Sequence, residues 1–183
     1  MGATKWHLSI GIVLFSGALC SCGSTVNACA ESSGGVNVAD GDFEESPTSW
    51  TLAPHSSIDS EHGVCGGENS LKVTLGEGNG STELTRSAPI TGGSGGQVEV
   101  AFHYRFEHCR DANLVVHVGG YEHRLKFNGT DGTWKDTSFV IELGSEPLTI
   151  DIHPEREGSP ETLTGADFQD NRMWVDGFTV HTL

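Results

Sequence analysis

Twenty-five Asp and Glu, nine His and five Cys give this chain ample means to move protons or hold cations. Their spacing narrows the chemistry. The histidines form no HxH or HExxH pair and the cysteines no CxxC pair, so no zinc site is written in the sequence. A phosphate-cradling P-loop and a dinucleotide fingerprint are also missing from it. Two carboxylates can hydrolyse a glycoside, but among 25 acids their mere presence selects no pair. A non-catalytic protein is therefore expected. Lys and Arg number only 10, for a formal net charge of -15. That balance argues against nucleic-acid binding, which needs phosphates neutralised by basic side chains.

Whatever chemistry remains must be positioned by strands. From Val36 onward no segment keeps a 3.6-residue period, while two-residue alternation recurs. In Gln97 to Phe106, Val98, Val100, Phe102, Tyr104 and Phe106 share one side, and Glu99, Ala101, His103 and Arg105 the other. Similar runs are Asn113 to Val118, Tyr121 to Phe127, Ser138 to Leu143, Leu148 to His153 and Trp174 to His181. Ser70 to Leu75 and Thr82 to Ser87 are weaker. Gly, Asp and Asn clusters separate the runs, and Gly119-Gly120 reads as a hairpin turn. Short alternating strands at this spacing predict an all-β antiparallel sandwich. Trp50, Trp134 and Trp174 are expected in packing, and Pro154 to Arg172 is the longest unpatterned segment.

The first residues read as a processing signal. Lys5 precedes an uncharged apolar run, Leu8 to Leu19, too short to span a bilayer core. Leu19-Cys20-Ser21-Cys22 resembles a bacterial lipobox, cut before a Cys22 whose sulfur takes a diacylglycerol. Cleavage after Ala28-Cys29-Ala30 is the competing reading. The expected organisation is signal peptide 1–21, tether 22–35 and one domain 36–183. Gly23 favours the outer membrane, and the lipid is the expected membrane contact. Export permits disulfides, and a Cys65–Cys109 bridge is expected, with Cys29 left without an assigned partner.

The order of short motifs then becomes informative. Asp40-Gly41-Asp42-Phe43-Glu44 precedes Trp50-Thr51, and Gly66-Gly67-Glu68-Asn69-Ser70-Leu71-Lys72-Val73 follows. Phe102 to Arg105 comes next, and Trp174-Val175-Asp176-Gly177-Phe178 lies near the end. This order resembles the family 4, 9 and 22 carbohydrate-binding modules, jelly rolls of the galactose-binding-domain-like superfamily. Asp40 stands where those modules carry Asn, and Gly177 where they carry a second Asp. The resemblance implies a structural calcium between the first and last strands. Its ligands would be Glu44 and Asp176, joined by Asp42 and Asn69. Alternation independently groups Asp176 with Trp174, Phe178 and Val180, a costly core-side place for an unpaired carboxylate. The resemblance also implies binding of a polysaccharide or cell-wall glycan by a monomer. Sugar hydroxyls need directed polar groups, and His103, Arg105, Tyr121, Asp151 and His153 are the candidates if their strands are neighbours. A surface adhesion or protein-interaction module of the same fold is the alternative.

Overall fold

The computed structural model describes residues 37–64, 66–75, 83–90, 96–129, 132–144, 147–156 and 171–183. Expectations for the signal, Cys22, the tether, Cys65 and residues 157–170 lie outside them. Among the described residues nine strands form: β1 Ser56–Asp59, β2 Ser70–Thr74, β3 Thr85–Arg86, β4 Gly96–Glu107, β5 Cys109–Val118, β6 Tyr121–Gly129, β7 Lys135–Leu143, β8 Ile150–Arg156 and β9 Arg172–Thr182. Among the described residues there is no helix. One sheet runs β1-β2-β9-β4-β7 and the other β3-β8-β5-β6, every pairing antiparallel. Apart from the added edge strand β1, this is the strand order of a jelly-roll sandwich.

Alternation explains the two layers. Val98, Val100, Phe102 and Phe106 of β4 turn inward to meet Leu114, Val116 and Val118 of β5 and Ile150 and Ile152 of β8. All are nearly or fully inaccessible, and burying each such side chain contributes about 1.5–3 kcal/mol. Gly119 makes the β5–β6 turn at φ 59. A Cβ there would also lie 2.8 Å from Leu148 Cδ2, a movable side-chain end, so the left-handed φ is what favours glycine.

The last strand departs from simple alternation. The β4–β9 register shifts between Ala101, opposite Thr179, and His103, opposite Asp176. Gly177 is the extra residue, a bulge at φ 64. The bulge reverses the expected grouping. Met173, Val175, Phe178 and Val180 join the core, while Trp174 and Asp176 face outward and are buried beneath the segment that precedes β2. The entry segment is fastened to the same place. Phe178 N donates to Gly41 O at 2.8 Å, and Trp50 packs on Phe43 and Phe178 with its Nε1 donating to Asp40 O.

The expected Cys65–Cys109 bridge is not seen. Cys109 is a buried thiol whose Sγ donates to Arg172 O at 3.2 Å, and Cys65 lies outside the described residues. Burial pushes the Cys109 thiol up to about 12, which leaves it protonated and unreactive.

A side chain at a left-handed position costs about 1–3 kcal/mol. Gly177→Ala is therefore expected to lower unfolding free energy by that amount in urea denaturation. Unchanged stability would show that the strand does not need the bulge.

Candidate functional site

The four-stranded sheet carries a polar outer face. With Ile150 and Ile152 inward on β8, Asp151, His153 and Glu155 stand outward. With Leu114 and Val116 inward on β5, Asn113, Val115 and His117 stand outward. On β6, Leu125 faces inward and Glu122, Arg124 and Lys126 outward. Register aligns these residues in rows. Arg86, Asp151, His117 and Glu122 form one; His153, Val115 and Arg124 the next; Glu155, Asn113 and Lys126 the third. Four strands span about 15 Å at the usual spacing.

Charges on this face are paired off. Arg86 grips Asp151 with two bonds, Nε to Oδ1 at 2.5 Å and Nη2 to Oδ2 at 2.9 Å. Arg124 donates to Glu122 at 2.8 Å and also pairs with Glu155. The hydrogen bond from Arg124 holds the Glu122 carboxyl below its ordinary range. Within a chain of net charge -15, the face is thus close to neutral. His117 and His153 stack, with centroids 5.3 Å apart and planes 9° apart. Burial, followed by the charge of His117, pushes His153 below the ordinary histidine range. His55, in the turn before β1, is near enough to repel a charged His153, and its own burial lowers it too.

Three buried polar atoms here lack a protein partner: Asn113 Oδ1, His153 Nδ1 and His55 Nε2. Leaving such an atom unpaired costs about 1–3 kcal/mol.

The five candidates from the sequence do not form one strip, because β4 and β8 belong to different sheets. Asp151 and His153 lie on the face just described. His103 and Arg105 lie on the outer face of the five-stranded sheet. His103 is 7% exposed and paired with Asp136. Arg105 sits 5.1 Å above the Trp174 ring and pairs with Glu107. The Trp174 ring is fully buried, with His62 and Lys72 against it and Nε1 donating to Asp59 at 3.0 Å. Burial pushes the Asp59 carboxyl up, but hydrogen bonds from Trp174, Glu61 and His62 outweigh it and hold the group at about 2. This cluster is packed and its indole N–H is satisfied, although the buried Arg105 Nε has no hydrogen-bond partner. Tyr121 turns toward the space between the sheets and stacks on Phe139 at 4.9 Å, with 41% of its surface exposed. Asn113, His117, Glu122, Arg124 and Glu155 escaped the sequence reading. Alternation within Asn113 to Val118 was the signal for the first two, but it names no neighbouring strand.

At one end of the sandwich, acids gather around Asp176. Asp176 is inaccessible and accepts from Val64 N at 2.8 Å and Gly177 N at 2.7 Å. Burial chiefly, with Asp42 and Glu44 adding repulsion, raises its carboxyl to about 7. Asn69 ties down Glu44 through its backbone N at 2.7 Å and Nδ2 at 3.0 Å. The donors are all oxygens, which suits a hard cation. Among the described residues, however, no three His, Cys, Asp or Glu side chains already enclose a metal position.

No family model and no curated protein matches the chain. Similar solved structures include the CBM22-2 xylan-binding domain from Paenibacillus barcinonensis. It is 14% identical, with 78% of this chain and 98% of that one covered and a TM-score of 0.49. TmCBM61 in complex with β-1,4-galactotriose is 16% identical, with 79% and 96% covered and a TM-score of 0.49. CBM6cm-2 from Cellvibrio mixtus lichenase 5A, in complex with cellotriose, is 10% identical, with 81% and 96% covered and a TM-score of 0.44. The similarity is one of strand arrangement and assigns no residue a role.

Proposed function

We propose that the outer face of the four-stranded sheet binds a polysaccharide without breaking any bond. The observation that carries this reading is the row of outward polar groups whose buried Asn113 Oδ1 and His153 Nδ1 lack partners. Each sugar hydroxyl donates one hydrogen bond, so two hydroxyls can satisfy the two acceptor atoms and still accept from their neighbours. The paired Arg86–Asp151 and Arg124–Glu122 groups are fixed in place and offer directed donors and acceptors at little entropic cost. Xylan, a galacto-oligosaccharide and a cello-oligosaccharide, named with the similar structures above, are the first probes. Affinity electrophoresis is expected to retard the protein on one of them. Asn113→Ala should weaken that binding about tenfold, the equivalent of about 1.4 kcal/mol. Glu142→Gln, on the exposed edge of the other sheet, should not change it. No retardation on any probe defeats the reading.

We further propose one calcium ion at the acidic end, held by Glu44 and Asp176 with Asp42 and Asn69 contributing. Two features support it: a buried carboxylate repelled by two others, and a donor set made wholly of oxygens. The ion would supply the missing positive charge. Binding to the folded state alone raises stability, so millimolar calcium should raise the melting temperature by about 5 °C over EDTA. Equal melting temperatures in the two defeat this proposal.

The N-terminal signal supports export to a bacterial envelope, with Cys22 acylated and the domain held on a 22–35 tether. Intact mass of the envelope-extracted protein should show loss of residues 1–21 and a lipid on Cys22. A mature chain beginning at Glu31 would refute the anchor.

A further inference from the structure

Sugar-binding surfaces usually offer a ring to the apolar face of a pyranose. The outer face of the four-stranded sheet has no Trp, Tyr or Phe among its described outward residues. Its rings are the imidazoles of His117 and His153, diagonal neighbours on β5 and β8 stacked at 5.3 Å. The His117 side chain is 33% exposed and within reach of a ligand.

We propose that the stacked His117–His153 pair is the surface on which the sugar ring packs, so that the face releases its ligand in acid. This rests on reading the face as a glycan-binding surface. The surrounding charges decide the direction. On β8 the pair meets Asp151 and Glu155, on β6 Glu122, Arg124 and Lys126, on β3 Arg86, and from the turn before β1 His55, beside Glu83. Asp151 is already gripped by Arg86, and Arg124 holds both Glu122 and Glu155. The nearest carboxylate oxygen to His117 Nε2 is Glu122 Oε2, at 3.9 Å. A proton on His153 therefore faces His117, Arg124 and His55 with little compensation, and burial already disfavours it. Covering the pair with a sugar removes more water and disfavours the charge further. A protonated His153 Nδ1 also loses the lone pair that would accept from a hydroxyl. Ligand and proton thus compete for the same pair.

Isothermal titration of the protein with xylo-, galacto- and cello-oligosaccharides at about pH 8 and about pH 5 tests this, the interval that spans histidine titration. Kd is expected to rise in acid, by up to about tenfold for each pH unit below the free-state titration of His153. The double variant His117→Gln, His153→Gln should bind more weakly, and equally at both pH values. Equal wild-type Kd at both pH values, with Asn113→Ala still weakening binding, overturns the inference and leaves the glycan reading intact. No heat with any oligosaccharide at either pH defeats both. Near-UV circular dichroism separates release from unfolding, and loss of its signal at about pH 5 overturns the assignment to the pair.

Discussion

The pairing register of β8, β5 and β6 is the constraint on which the proposed binding face depends. Ile150, Ile152, Leu114, Val116 and Leu125 must all reach the core. A slip of one residue in any strand would carry its apolar set to solvent. The same constraint leaves no choice on the other face. Asp151 must stand beside His117, Glu155 beside Asn113, and Arg124 beside Val115. Hydrophobic burial, which has no direction of its own, thereby fixes polar groups whose function depends wholly on direction. Val115 shows the economy of the arrangement. It is an outward residue with no accessible surface, shielded within a row that contains His153 and Arg124.

Alternation in the sequence was enough to find most strands and their faces. It placed Val98, Val100, Phe102 and Phe106 together on one side of β4. It could not say which strands share a sheet. That depends on long-range pairing, which a local pattern does not encode. His103 and Asp151 therefore looked like partners and are not. Alternation also fails at a bulge, because one extra residue inverts every later position. Gly177 was visible only as a departure from a motif. Its left-handed φ gives the departure a physical reason and moves Asp176 and Trp174 to the outer side. β1 went unseen: its four residues, Ser56 to Asp59, hold a single strong strand former and fall after a turn.

The two outer faces use similar residue types to opposite ends. On the five-stranded sheet, Trp174 is enclosed by Arg105, Lys72, His62 and Asp59, and the indole N–H is satisfied. Its energy goes into closing the structure over β9. On the four-stranded sheet, the arginines are also matched to carboxylates, yet Asn113 and His153 keep unpaired atoms. Both faces keep buried polar atoms without partners, Arg105 Nε on one and Asn113 Oδ1 and His153 Nδ1 on the other, so it is the enclosure of the Trp174 ring that sets the five-stranded face apart.

Charge balance ties the face to its setting. The chain as a whole is strongly acidic, so anionic polymers and anionic headgroups are repelled at distances within the Debye length, about 8 Å at physiological salt. Over the face itself, ion pairs between Arg86 or Arg124 and their acids cancel the local field. A neutral polymer approaching this region pays no electrostatic penalty and displaces water held by groups already oriented. The stacked imidazoles occupy the middle of the face, where burial disfavours a charge on His153. There a full charge would need carboxylates that the arginines have already taken. The pairing that keeps the face neutral thus also leaves a charge on His153 without compensation.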